Sequence, residues 1–212
     1  MTDAPVADRR ESWPVSASAT MYDDGFITVR RDTLTGPDDS SFDRAVVQHA
    51  DAVGVLVLDD QERLLLLGQY RHATGHRLLE LPAGLLDVPG EDPRAAAARE
   101  LAEEADLRAT DWRVLVDTFS SPGFSTEAWR VFLVRGISAV SASEQFTREH
   151  EEADLEQHWV PLAEAVAGVL EGRLGNPMAV MAVLACWTVR NGPGYDSLRS
   201  PDADWSTRVA PA

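Results

Sequence analysis

At 212 residues and 44% hydrophobic content, the chain is long enough to bury a sizeable core as one large domain or as a domain with a smaller extension. Its 35 acidic side chains against 19 Lys and Arg give a formal net charge of −16. That balance argues against a nucleic-acid or anionic-membrane surface, and an anionic substrate needs a cation to bind to it.

The charged start, MTDAPVADRRES, lacks the apolar stretch of a signal peptide. No run approaches the roughly 18 apolar residues of a membrane span, so a soluble cytoplasmic protein is expected. Residues 1–12 and 195–212 have no apolar periodicity and are expected to be loosely ordered tails. Alternation in VSASATMY, FITVRRDTL and RAVVQHADAVGVLVLDD, broken by Asp23-Asp24-Gly25 and Gly36-Pro37, predicts strands, making residues 13–50 a strand-rich extension. The main domain is expected over 51–194. It opens with strands at 54–58 and 63–70, joined through Asp59, Asp60 and Gln61 as a short hairpin.

A helix is predicted from Asp92 and Pro93 to about Ala105, since Asp caps and Pro suits the first helical position. Strands follow at 113–119 and 128–134. Two more helices are expected, one after Pro161 closed by Gly172 and one from Asn176 and Pro177 toward Arg190. The only cysteine, Cys186, falls in the apolar run MAVMAVLACW and is expected to be a buried structural thiol.

On the first of these helices Glu100, Glu103 and Glu104 fall within roughly 100° of arc, with Ala98, Leu101, Ala102 and Ala105 opposite. A solvated acidic surface is one reading of such a face. The other takes account of the preceding LELPAGLLDVPGE, in which Gly84 allows close backbone approach and the Ala83 carbonyl can join the glutamates. Oxygen donors of that kind suit magnesium.

Gly84, Glu91 and the block Arg99-Glu100-Leu101-Ala102-Glu103-Glu104-Ala105-Asp106-Leu107 resemble the Nudix box. Two departures stand out. Six residues instead of five separate Gly84 from Glu91, and Asp106 replaces the final glycine, a position where Asp tolerates the left-handed conformation. Pro122 in SSPGFSTE, fifteen residues past the box, together with Leu79-Glu80-Leu81-Pro82-Ala83-Gly84 and Gln69-Tyr70-Arg71, is similar to the ADP-ribose pyrophosphatase branch. A plain turn is the other reading of Pro122.

The resemblance implies an α/β fold, the Nudix α/β/α sandwich with a mixed sheet, plus the N-terminal extension as the element that builds a homodimer. It implies hydrolysis of ADP-ribose to AMP and ribose 5-phosphate, with Mg2+ or Mn2+ held by Glu100, Glu103, Glu104 and the Ala83 carbonyl, and Arg99 braced by Glu91. Arg71, Gly84 and Pro122 are the expected substrate contacts, a surface ion pair being the other reading of Arg71. The branch places its general base on a loop in the region of the acid cluster 149–154; Glu151 is the first choice and Glu152 the second, with Glu103 also counted among the catalytic carboxylates. A merely solvated acidic loop is the alternative there. The expected partners are a nucleoside diphosphate sugar and a second subunit, not nucleic acid or membrane. The competing functions are a pyrophosphatase for another diphosphate sugar or a dinucleoside polyphosphate, and a non-catalytic ADP-ribose-sensing Nudix module.

Overall fold

Side chains alternate between the two faces of a strand, so a strand that is apolar at every position must be covered on both sides. The strand β4 (Ala52–Val57) is buried along its whole length, and around it the fold is organised. The computed structural model describes residues 6–141, 143, 145–146 and 154–208. The chain divides into two units, Met1–His49 with Gly123–Thr126, and Ala50–Pro122 with Glu127–Ala212.

The smaller unit is an antiparallel sheet of β1 (Val15–Asp23), β2 (Thr28–Thr35) and β3 (Ser41–Gln48), in that order. Its first turn is held by the Asp24 carboxylate, which accepts the N–H groups of Phe26 and Ile27, both at 2.9 Å. Gly25 takes φ 84° there, a value that glycine adopts without steric cost.

In the larger unit the remaining elements are β5 (Arg63–Arg71), β6 (His76–Glu80), β7 (Ala83–Leu85), α1 (Pro93–Ala105), β8 (Leu107–Phe119), β9 (Ala128–Ala139), β10 (Glu156–Pro161), α2 (Leu162–Leu170) and α3 (Pro177–Arg190). One sheet runs β7-β4-β9-β8 and the other β10-β5-β6. Because β4 and β9 are parallel while the other pairs are antiparallel, the sheet is mixed. Val53, Val55 and Val57 of β4 pack with Phe132, Val134 and the α1 residues Ala96, Ala97 and Leu101. Leu56 and Leu58 face the other way, toward Leu133, Leu162, Ala179, Val183 and Cys186. Helices thus cover both sides of the strands, giving an α/β/α arrangement.

Three sequence expectations are corrected. The hairpin at 54–70 does not continue past a single bridge, Leu58 to Leu64, because β7 and β9 occupy both edges of β4 and β5 pairs with β10 and β6 instead. The strand expected from 113 starts at Leu107 and pairs with β9 from there; Leu107 and Ala109 pack on the core, but two successive exposed residues, Thr110 and Asp111, interrupt the alternation before Trp112. Residues 195–208, expected to be loose, are fastened to the larger unit: the Arg199 carbonyl accepts the Val114 N–H at 3.1 Å, and Trp205 packs on the core beside α1.

Candidate active site

The helix α1 starts and stops where its sequence provides caps. The Asp92 carboxylate accepts the N–H groups of Arg94 and Ala95 at 3.0 Å, and Pro93 occupies the first turn. At the other end Asp106 adopts the left-handed conformation at φ 56°, ψ 34°, with its N–H directed to the Ala102 and Leu101 carbonyls. Asp therefore performs at the C-cap what glycine usually does.

Between these ends Leu101 is fully buried, and Glu100 and Glu104 are only 8% and 7% exposed. Carboxylates are seldom buried without partners, and here the partners are specific. Glu104 Oε2 accepts the backbone N–H of Ala83 at 2.9 Å. Arg99 Nη1 donates to Glu100 Oε1 at 2.6 Å and to Glu103 Oε2 at 3.2 Å, while its Nε and Nη2 reach the two oxygens of Glu91, each at 3.3 Å. The hydrogen bond to Glu91 and the charges of Glu100, Glu91 and Glu103 raise the Arg99 pKa above its already high ordinary value. One cation thus braces the loop before α1 against the acidic face of the helix.

That loop leaves β7, whose Ala83 pairs with Gly54 and whose Gly84 pairs with Val53. A methyl group on Gly84 would overlap the Glu100 carboxylate, so what this glycine admits here is the glutamate of the helix. Further along this loop the Glu91 N–H bonds the Val88 carbonyl at 3.1 Å and Gly90 takes φ 78°. With the longer loop, Ala83 lies beside Glu104.

Among the described residues no group of three acidic, histidine or cysteine side chains is arranged to hold a metal ion as it stands. Arg99 lies against Glu100 and Glu103, and for a cation to take those oxygens the guanidinium must yield them. The donor chemistry fits a hard divalent cation: carboxylate oxygens from one helix face, next to the backbone of Ala83. A cleft of about 510 Å³ lies on the other side of α1, against Ala95, Ala98, Ala102 and Trp112, and shares none of the glutamates.

Arg71, at the end of β5, is bound through Nε and Nη2 to both oxygens of Glu80 at 3.0 and 2.7 Å. The ion-pair reading is the one the structure displays, although its acid is 5% exposed and so buried. Glu80 received no role of its own from the sequence; the one available signal was a carboxylate inside the apolar run LLELPAG. Pro122 is exposed in the turn after β8. Glu151 and Glu152 lie outside the described residues. Cys186 is fully buried, and burial pushes its thiol up to about 12, consistent with a structural role. No helix among the described residues is long and apolar enough to cross a membrane.

The matched family description, NUDIX domain, covers residues 48–181, which takes in the sheet, the loop and the acidic helix. The chain belongs to the Nudix family and is a Nudix hydrolase. It is 43% identical over 192 residues, 91% of this chain and 90% of the relative, to a protein of Mycobacterium tuberculosis (strain ATCC 25618 / H37Rv) named ADP-ribose pyrophosphatase. A Bacillus subtilis (strain 168) protein of the same name is 31% identical over 53% of this chain and 60% of its own length. A solved structure described as an ADP compounds hydrolase superposes with a TM-score of 0.71 at 20% identity, covering 88% of this chain and 99% of that one, a likeness of fold.

Proposed function

We propose that the chain splits the diphosphate of ADP-ribose, with water, into AMP and ribose 5-phosphate. The observation that carries this is the convergence of Glu100 and Glu104, both buried, on the backbone at Ala83 and Gly84. The M. tuberculosis relative at 43% identity points to ADP-ribose as the nucleotide sugar.

In this reading Glu100, Glu103, Glu104 and the Ala83 carbonyl hold Mg2+ or Mn2+, which when bound offsets the charge of the diphosphate and polarises it for attack. Arg99, released from Glu100 and Glu103, keeps its bond to Glu91 and holds the loop closed on the helix. Gly84, with no side chain, lets the Glu100 carboxylate lie against the backbone, and its own backbone is assigned to the substrate's phosphates. Arg71, oriented by Glu80, is assigned to the diphosphate oxygens, and Pro122 to the substrate's rim. Glu151, or Glu152 one residue on, takes the proton of the attacking water as one phosphorus–oxygen bond forms and the bridging one breaks. The protein works as a homodimer in the cytoplasm, with no nucleic-acid or membrane partner.

Product analysis tests this. After incubation with ADP-ribose and magnesium, AMP and ribose 5-phosphate are expected in equal amounts, with kcat/KM for ADP-ribose above that for other diphosphate sugars and dinucleoside polyphosphates. A higher kcat/KM for one of those overturns the substrate, and binding of ADP-ribose with no turnover of any would make the chain a sensor.

A further inference from the structure

The segment 199–208 packs beside α1 in the larger unit, and several of its contacts are with charged groups of the sheet. Arg199 Nη1 donates to Asp117 Oδ2 at 2.8 Å. The same Asp117 carboxylate accepts Nε and Nη2 of Arg130, at 2.8 and 3.0 Å. Arg130 is 3% exposed, and it donates onward to the carbonyls of Ala203 and Asp204 at 2.7 and 3.0 Å. A buried guanidinium requires its donors to be satisfied, and the segment's backbone satisfies two of them. Trp205 then lies with the Arg130 guanidinium 5.0 Å from its ring centre and that of Arg208 5.7 Å away, within cation–π range.

The segment ends at Asp51, ahead of β4. Arg208 Nε donates to Asp51 Oδ2 at 3.0 Å. The other oxygen of Asp51 accepts the Ala128 N–H at 3.0 Å, and its backbone carbonyl accepts the Leu86 N–H at 2.8 Å. Leu86 follows β7 directly, and its side chain packs on the same core as Trp205. At the head of α1, Arg94 pairs with Asp202 at 3.8 Å. The segment therefore reaches the start of the loop after Gly84 through Asp51, and its far end, at the head of the acidic helix, through the Arg94–Asp202 pair.

We propose that residues 199–208 are a positioning strap for the reaction, with Trp205 and Arg208 setting, through Asp51 and Leu86, the placement of the loop and of the carboxylates that hold the metal. The inference rests on the metal-site reading above. Groups behind the ligands of a metal site tune affinity and rate by orientation, and a small misplacement is costly.

The experiment compares Arg208→Ala, Arg208→Lys and Trp205→Ala with the wild type. In the metal-free protein, amide hydrogen exchange at Leu86 is expected to quicken about tenfold in Arg208→Ala and Trp205→Ala, with exchange at Phe132 unchanged. Binding of Mn2+ alone, read by electron paramagnetic resonance of the free ion, should weaken by roughly tenfold, and kcat should fall by a similar factor with KM within about threefold. Arg208→Lys keeps the charge but not the directed Nε bond and should recover part of each loss. A lower melting temperature in Arg208→Ala and Trp205→Ala, with Leu86 exchange, Mn2+ affinity and kcat within twofold of wild type, would reduce the strap to a structural tie and overturn the proposal. The exchange readout needs neither metal nor turnover. A wild type that binds Mn2+ yet cleaves no diphosphate sugar would overturn the proposed function while the exchange and Mn2+ readouts still decide on the strap.

Discussion

Glu104 has two tasks, to orient Ala83 and to carry charge, and a single substitution separates them. In Glu104→Gln the amide oxygen can still accept the Ala83 N–H seen at 2.9 Å, so the loop keeps its place and only the charge is lost. We expect kcat to fall by about 10² or more with the circular dichroism spectrum unchanged; a near wild-type rate would return the acidic face to a solvated surface. The base is a separate question. Glu151→Gln should bind ADP-ribose within about tenfold of wild type and lose on the order of 10²–10⁴ in kcat, and if Glu152→Gln is the inactive variant the register shifts by one. The three glutamates of α1 could be read from the sequence because helical periodicity places them on one face. The bond from Arg71 to Glu80 could not, because it joins two strands nine residues apart and only the fold brings the side chains together.

At the scale of elements, the turn between β4 and β5 depends on one carboxylate. Asp59 accepts the N–H groups of Gln61 and Arg63 at 2.9 and 2.8 Å and Arg63 Nε at 2.7 Å. Burial, the largest single influence, raises its pKa, but the bonds to Arg63 and Gln61 together outweigh it and leave the group below its ordinary value of 3.8. A depressed folded pKa means stability that is present above that ordinary value and lost as the pH falls through the lowered one. Asp59→Ala should therefore cost about 1–3 kcal/mol at neutral pH, and the gap from wild type, measured by urea unfolding, should narrow below pH 3.8. A gap independent of pH would contradict this. The turn residues were legible, but the parting of β4 and β5 into different sheets was not, since partner choice depends on strands more than 60 positions away, such as β9. The caps of α1 and α3 were legible because they are local: Asp92 accepts the N–H groups of Arg94 and Ala95, and Asn176 that of Ala179.

At the scale of the whole molecule, the smaller unit carries Trp13, Val15, Met21, Tyr22 and Phe26 at exposures of 42–65%, and every residue of β1 is exposed. Apolar surface of this kind is ordinarily covered by a partner, and the proposed partner is a second copy of the chain. Light scattering at micromolar concentration should give twice the chain mass of 23.2 kDa, and Met21→Asp, at a ladder irregularity where the pairing is already broken, should shift it toward the monomer; a wild-type monomer would contradict the dimer. The C-terminal segment shows the limit of reading a sequence by composition. Its Pro, Asp and Ser content resembles a loose tail, but the buried Arg130 that fastens it lies about 70 residues earlier. The central claim is that the acidic face acts on a diphosphate through a divalent cation, because 35 acids against 19 bases leave the chain otherwise ill suited to an anion. Its most direct test follows AMP release from ADP-ribose while metal is removed and returned. The account predicts that release stops in excess EDTA and recovers when Mg2+ or Mn2+ is added beyond the chelator, whereas turnover that continues undiminished in EDTA would contradict it.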